Sequence, residues 1–169
     1  MELRATHRFD APAHAVATAS TDPDFYAALE LPDVETPEIL AHEATDVSVM
    51  LRVRLRFTGA LDPVARRVIG AERISWVQEL RLDLPTRRGE LTVVPDVQQD
   101  RIDLKAQVEL IEDSATATTR RIAGDLKVRI PLVGGRAERS LVPGIERRLD
   151  AEAEALRDWL ERQGLGPAT

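Results

Sequence analysis

Residues 134 to 163 form a single amphipathic stretch that constrains the fold more than any other segment. At 3.6 residues per turn, its large apolar side chains fall on one stripe of a helix, at Leu141, Ile145, Leu149, Leu156, Trp159 and Leu160. Charged side chains fall off that stripe, at Arg147, Asp150, Glu154, Arg157 and Glu161. A helix of this kind needs an apolar partner surface. We therefore expect the preceding chain to wrap around a long C-terminal helix.

Two features interrupt the regularity of this helix. Pro143 and Gly144 predict a kink or a restart near its beginning, with Ser140 as a possible N-cap. Glu152 lies within the apolar stripe, where a bare buried carboxylate would cost several kcal/mol, so it must be paired or reach water. Two interpretations of Glu152 stay open: a solvated or arginine-paired glutamate, or a polar group that faces a cavity.

The first segment of the chain predicts a strand followed by two short helices. Glu2–Phe9 alternates between apolar and polar residues, the period of a half-buried strand, with His7 and Phe9 on the inward face. Asp10 before Pro12 predicts the N-cap of a helix over residues 10–19. A second start at residues 21–23 predicts another short helix that ends near residue 29.

The middle of the chain predicts an antiparallel meander. We expect six strands, at residues 35–45, 47–57, 72–84, 90–94, 102–112 and 116–130, and a short helical excursion at residues 62–69. Arg52, Arg54 and Arg56 share the outward face of one strand. We expect them to pair across strands with acidic residues, candidates being Glu79, Asp83, Asp103 and Glu109. Each exposed ion pair contributes about 0 to 1 kcal/mol to the stability of the fold.

Composition limits the possible functions. A chain of 169 residues with 43% hydrophobic content predicts one domain over residues 1–169. A net charge of -6 with 4% aromatic residues argues against nucleic-acid binding and against an anionic membrane surface. Cysteine is absent, which excludes disulfides and thiolate metal sites. We find no apolar run typical of a signal peptide or a membrane span, and we expect a cytoplasmic protein with no integral membrane association.

Residues with catalytic potential are few. His7, His14 and His42 have no partners at metal-ligand spacing, and the motifs HExxH, GxSxG and the P-loop are absent. We therefore expect no cofactor, no metal and no catalytic motif. His7, Gln78 and Glu152 are the polar groups that the pattern aims inward. They predict either a ligand-binding or acid/base trio, or a core network whose hydrogen bonds are satisfied.

The order of elements resembles the helix-grip fold of the START-like (SRPBCC) superfamily, which includes lipid-transport proteins and polyketide cyclases/dehydrases. Residues 124–135 followed by Glu138 look like the strand-to-helix junction of an uncharacterised actinobacterial family of START-like proteins, and Trp76, Trp159 and Leu160 also fit it. The resemblance implies an α+β protein with a seven-stranded curved antiparallel sheet wrapped around a long C-terminal helix. It also implies a cavity for an apolar or amphipathic small molecule, and no particular reaction.

The implied cavity would be lined by the inward residues of the strands and of the last helix. The candidates are His7, Phe9, Leu51, Val53, Trp76, Gln78, Leu80, Leu104, Ala106, Val108, Ile122, Leu126, Val128, Ile145, Leu149, Glu152 and Leu156. We rank three function classes: a binding or carrier protein for a hydrophobic or amphipathic small molecule, a cyclase/dehydratase-like or hydrolase enzyme that uses the same cavity, and a noncatalytic interaction module with a closed interior. A monomer and a homodimer both remain open.

Overall fold

The computed structural model describes residues 1–60, 63, 66, 74–97 and 99–166. Its elements follow the expected order: β1 (Glu2–Phe9), α1 (Ala13–Ser20), α2 (Pro23–Ala27), β2 (Glu38–Ala44), β3 (Ser48–Phe57), β4 (Ile74–Asp83), β5 (Arg88–Pro95), β6 (Ile102–Ser114), β7 (Ala117–Val128) and α3 (Gly134–Arg162). The expected helical excursion at residues 62–69 falls almost wholly outside the described residues. The predicted strands are confirmed, with ends that differ by at most three residues.

The strands form one seven-stranded antiparallel sheet in the order β1-β7-β6-β5-β4-β3-β2. Strands that follow one another in the sequence from β2 to β7 are neighbours in the sheet, and β1 closes the order against β7. Every second residue of a strand lies on the same face of the sheet, because successive side chains point to opposite sides. In β1 the inward residues Leu3, Ala5, His7 and Phe9 are all buried. In the register between β1 and β7, His7 lies directly opposite Arg120.

Helix α3 covers one end of the inward face. It packs against β1, β7 and α1, and it buries Leu149, Glu152, Leu156 and Leu160. The helix begins at Gly134 and runs through Pro143 without a break, so the restart expected at Ser140 is absent. Proline is tolerated here because it lies in the exposed part of the early helix, where only one amide donor is lost.

Side chains of α3 also close the free edge of β1. The Glu146 carboxylate accepts a hydrogen bond from the backbone amide of Arg4 at 3.2 Å, and the Arg157 Nε donates to the carbonyl of Arg8 at 2.9 Å. Unpaired groups at a sheet edge invite association with other strands. The helix therefore protects this edge while it covers the core.

The junction between β7 and α3 turns at Leu132 and not at a glycine. The left-handed conformation belongs to Leu132, with φ 68°, whereas the helical Gly134 and Gly135 do not adopt it. Gly134 is needed for a different reason: a Cβ there would lie 2.2 Å from the carbonyl oxygen of Val128. Glu138 then fixes the helix to the strand, because its Oε1 accepts the amide of Val128 at 2.9 Å. That hydrogen bond lowers the pKa of Glu138.

The two short helices near the N-terminus differ in how they are capped. Asp22 caps α2, since its Oδ1 accepts the amide of Asp24 at 2.8 Å. Asp10 does not cap α1; the N-cap is Pro12, which makes no side-chain bond, and Asp10 lies 3.7 Å from Arg8 instead. Proline at residue 12 already sets the extended conformation that a cap requires, so α1 begins without a side-chain acceptor.

The arginines on the outer face pair with acidic residues, as predicted, but two of the three have partners other than those expected. Arg52 pairs with Glu79 as expected, but Arg56 pairs with Glu38 at 2.6 Å and Arg54 with Asp96 at 3.3 Å. The other acidic candidates have partners elsewhere: Glu109 pairs with Arg88, Asp103 with Arg129, and Asp83 accepts a hydrogen bond from Thr86.

Among the helices in the described ranges, none combines the length and apolarity that crossing a bilayer requires.

Candidate functional site

A small cavity lies between the inward face of the sheet and α3. Its apolar walls are Leu80, Leu82, Leu91, Val108, Leu110, Ile122 and Leu149, and its polar walls are Ser20, Gln78, Arg120 and Glu152. The volume open to the centre of a water molecule is about 10 Å³, room for about one water. The inner space therefore combines an aliphatic side with a polar side and is nearly closed.

The structure distributes the predicted cavity residues over a wider region than the cavity itself. Those that line it are Gln78, Leu80, Val108, Ile122, Leu149 and Glu152. Those buried elsewhere in the core are His7, Phe9, Leu51, Val53, Leu104, Ala106, Leu126, Val128 and Leu156. Trp76 and Ile145 are partly buried against that core. Contact of any of them with a ligand stays a prediction.

Glu152 is both paired with arginine and directed at the cavity, so its two open interpretations coincide. Its Oε2 accepts from Arg148 Nη1 at 3.1 Å, and its Oε1 lies 3.7 Å from Arg120 Nη1. Glu152 and Arg120 are buried, with side chains 6% and 3% exposed. Flanking guanidinium groups compensate the desolvation of the carboxylate, which explains how an acidic residue occupies the apolar stripe.

Gln78 extends this network toward α2. Its Oε1 accepts from Arg148 Nη2 at 2.8 Å, and its Nε2 donates to the hydroxyl of Tyr26 at 3.5 Å. Tyr26 is fully buried; its burial raises the pKa of the phenol, and the nearby Glu152 carboxylate raises it further. The phenol therefore stays neutral. Gln78 and Glu152 are held in fixed orientations at the cavity wall.

His7 lies behind Arg120 and does not line the cavity. Its Nδ1 lies 3.3 Å from Arg120 Nη2, and its Nε2 lies 2.9 Å from Asp150 Oδ1. A guanidinium only donates hydrogen bonds, so Nδ1 must accept, and Nε2 must carry the proton and donate a hydrogen bond to Asp150. Burial and the charge of Arg120 lower the pKa of His7, and Asp150 only partly opposes them. The imidazole is therefore neutral at pH 7.

Two buried polar atoms of the cavity walls have no hydrogen-bond partner within the described part of the chain. They are the Ser20 hydroxyl oxygen and the Arg120 Nε. More than nine in ten buried polar groups of folded proteins are paired, so each exception needs an explanation. Both atoms belong to residues that line the same small cavity, which suggests that a polar group brought in from outside would satisfy them.

Sequence reasoning missed Arg120, Arg148, Tyr26 and Ser20. Arg120 could have been found, because the alternation that turns Ile122 inward also turns residue 120 inward. Arg148 precedes Glu152 by four residues, the spacing of an ion pair along a helix. Tyr26 and Ser20 carry no periodic signal, since α1 and α2 are too short to define a face.

The described residues do not form a metal-binding site here. In residues 1–60, 74–97 and 99–166 together with positions 63 and 66, no three acidic, histidine or cysteine side chains come together in a way that could hold a metal ion. The titratable groups around the cavity are instead interleaved arginine and glutamate. Their arrangement suits hydrogen bonding of a ligand better than coordination of a cation.

Solved structures with the same fold span almost the whole chain. TTHA0849 from Thermus thermophilus superposes with a TM-score of 0.69 at 16% identity over 96% of this chain and 99% of that one. The Zhui aromatase/cyclase from a Streptomyces species gives 0.67 at 22% identity, over 96% and 94% of the two chains. Norcoclaurine synthase from Thalictrum flavum gives 0.63 at 15% identity, over 95% and 86%. At such identities these likenesses establish the fold and no activity.

These relationships confirm the START-like helix-grip fold that the element order predicts. A START superfamily protein from Mycobacterium smegmatis also superposes, with a TM-score of 0.57 at 16% identity over 96% of this chain and 98% of that one. No match was found among curated proteins. The expected actinobacterial distribution stays a prediction. A family model matches residues 4–160, and the chain therefore belongs to the family described as Protein of unknown function (DUF2505).

Proposed function

We propose that the protein binds an amphipathic small molecule between the sheet and α3, as a noncatalytic binding or carrier protein. One observation carries this proposal: a cavity with mostly aliphatic walls is also lined by Ser20 and Arg120, whose buried Oγ and Nε have no partner within the described residues. Leaving a buried polar group unpaired costs about 1 to 3 kcal/mol. A ligand with an apolar body and a polar end would cover the walls and satisfy both atoms.

The small volume means that binding must open the cavity. Pockets for small organic molecules usually measure about 300 to 1,000 Å³, whereas this closed form holds about one water. The residues that close it are aliphatic, among them Leu80, Leu82 and Leu110, and such side chains can change rotamer without breaking hydrogen bonds. We expect the ligand to displace these leucines while the polar side stays in place.

Catalysis ranks below binding because the cavity offers no free base. Gln78 and Glu152 both line it, as a cyclase/dehydratase-like or hydrolase enzyme would require. Glu152, however, is engaged by two guanidinium groups, and His7 is separated from the cavity by Arg120. A general base needs an acceptor within hydrogen-bond reach of the substrate proton. Known relatives by fold include an aromatase/cyclase, so this alternative is kept as an outcome of the tests.

The near-closed interior also favours a second candidate. An interaction module needs no internal space, and the volume of about 10 Å³ is what such a protein would have. Under that hypothesis the polar groups serve only to orient core elements, and one bound water satisfies Ser20 and Arg120. We place either function in the cytoplasm, with the protein as a monomer or homodimer.

Native mass spectrometry of the purified protein, followed by organic extraction and mass analysis, tests the proposal. We expect a stoichiometric organic adduct, or uptake of an added long-chain amphiphile by the stripped protein. The matched variants are Val108→Phe, which fills the cavity, and Leu104→Phe, on the same face of β6 but outside the cavity walls. Only Val108→Phe should abolish uptake. A protein that carries no adduct and takes up none of the added amphiphiles would support the interaction module instead.

A further inference from the structure

The charges around the cavity do not balance. Two guanidinium groups, those of Arg120 and Arg148, face a single carboxylate, that of Glu152. His7 adds no compensating charge because it is neutral, and its partner Asp150 has a side chain that is 62% exposed to solvent. Arg157 contributes further positive potential at Arg120. The cluster of Arg120, Arg148 and Glu152, two members of which line the cavity, therefore holds one positive charge more than it holds negative charges.

Burial makes this imbalance costly. Arg120 is 3% exposed, and its burial lowers the pKa of the guanidinium, although Glu152 opposes the effect. Charges interact more strongly in a protein interior than in water, so an unmatched cation favours any anion that can reach it. The cavity beside Arg120 is where an anion from outside would fit.

The free hydrogen-bonding atoms point to the same chemistry. Arg120 directs Nη1 toward Glu152 and Nη2 toward His7, whereas its buried Nε has no hydrogen-bond partner among the described residues. The hydroxyl of Ser20, which also lines the cavity, likewise finds no partner in that part of the chain. Arginine cannot accept a hydrogen bond, so Arg120 Nε needs an acceptor, and the Ser20 hydroxyl can donate to the same group. A carboxylate has two oxygens and could accept from both atoms.

We propose, on the basis of the proposed function, that the ligand is an amphipathic carboxylic acid whose carboxylate is bound by Arg120 Nε and Ser20 Oγ while its apolar part lies among Leu80, Val108 and Leu110. Glu152 and His7 act as positioning residues, because they hold the two Nη groups of Arg120 and direct its Nε at the cavity. Arg148 supplies the second positive charge.

Three probes with the same alkyl chain and different head groups test this inference: dodecanoate, 1-dodecanol and dodecylamine. Calorimetric titration of the full chain near neutral pH measures each affinity. A hydrogen bond to a charged group is worth about 1.5 to 3 kcal/mol, so dodecanoate should bind roughly 10- to 100-fold more tightly than dodecanol. Dodecylamine should bind more weakly than dodecanol, because its positive charge meets Arg120.

Two variants test whether Ser20 and Arg120 cause the preference for the carboxylic acid. Ser20→Ala should weaken dodecanoate severalfold and leave dodecanol nearly unchanged. Arg120→Met combined with Glu152→Gln removes the buried pair together, and should abolish the preference for the acid while dodecanol still binds. Thermal unfolding checks that each variant is folded.

The results distinguish a wrong ligand class from a wrong function. Equal or tighter binding of dodecanol by the wild-type protein would overturn the anionic ligand and leave the binding function standing. Failure of all three probes to bind the folded protein would count against the binding function itself. An acid preference that survives in the double variant would overturn the assignment to Arg120.

Discussion

Arg120 on β7 and Glu152 on α3 face each other inside the core, with Nη1 3.7 Å from Oε1. Each is buried, and each also contacts a second polar partner, His7 for Arg120 and Arg148 for Glu152. The pair links the last helix to the strand beside the N-terminal strand. Because both charges lie away from water, the pair should matter more for stability than any ion pair on the outer face.

Removing Glu152 should therefore be strongly destabilising. Glu152→Leu leaves Arg120 buried without its counter-charge, and we expect a loss of about 3 to 5 kcal/mol in the free energy of unfolding. Combining it with Arg120→Met should recover much of that loss, since no charge then remains unpaired. Urea unfolding measures both. Arg88→Ala, which breaks the exposed pair with Glu109, is the control and should cost less than about 1 kcal/mol. A cost for Glu152→Leu as small as the control's would show that the pair is dispensable.

Acidification should weaken the fold through His7. The pKa of His7 is below its usual 6.5 in the folded protein, so the unfolded chain binds more protons in the interval between the two pKa values. Stability is then fully present above pH 6.5 and is lost as the pH falls through the folded pKa. We expect the free energy of unfolding to be lower at about pH 5.5 than at about pH 7.5.

The matched variants for this effect are His7→Gln, which removes the buried imidazole, and His14→Gln, which removes an exposed one. Only His7→Gln should flatten the dependence between those two pH values. The groups that face His7 are Asp150, Arg120 and Arg157. An unchanged slope in His7→Gln would mean that another group is responsible.

The two glycines at the start of α3 should respond in opposite ways to alanine. At Gly134 a Cβ would lie 2.2 Å from the Val128 carbonyl, so Gly134→Ala must displace the junction and should cost about 1 to 3 kcal/mol. At Gly135 the nearest atom is the end of Arg139 at 3.8 Å, and alanine favours the helix by up to about 1 kcal/mol. Thermal unfolding compares them. Equal effects at both positions would refute the close approach at Gly134.

Leu132 carries backbone strain that its side chain does not offset. A non-glycine residue at φ 68° costs about 1 kcal/mol or more, and this leucine is fully exposed. Asparagine tolerates the left-handed region, so Leu132→Asn should raise the free energy of unfolding by about 0.5 to 1 kcal/mol. Chemical denaturation measures the change. A loss of stability would show that the leucine makes a packing contact after all.

The sequence predicts the architecture well where the two faces of an element differ in polarity. Strand β1 is correct to the residue, and α3 is correct within one residue at its C-terminal end, because each has a clear apolar face. The kind of turn before α3 was not predictable in the same way. The glycines at positions 134 and 135 do not reveal the conformation of this turn, because the close approach to Val128 and the strain at Leu132 depend on how the helix docks.

The site was only partly predictable. Glu152 and Gln78 stand out because a polar residue interrupts an apolar face, and the same logic applied to β7 would have found Arg120. It was overlooked because a buried arginine is rare and the inward residues were identified by their apolar character. Ser20 lies on a short helix that is buried nearly all around, so no periodicity marks it. The volume of the cavity depends on the packing of leucine side chains, which no residue pattern specifies.

Intermolecular NOEs between labelled dodecanoate and the methyl groups of the protein test the central claim most directly. We expect the alkyl chain to contact the methyls of Leu80, Val108, Leu110 and Leu149, and the carbon next to the carboxylate to lie near Ser20. Contacts confined to exposed apolar residues such as Val47 and Val94 would contradict it, because the ligand would then lie on the surface while the interior stays closed.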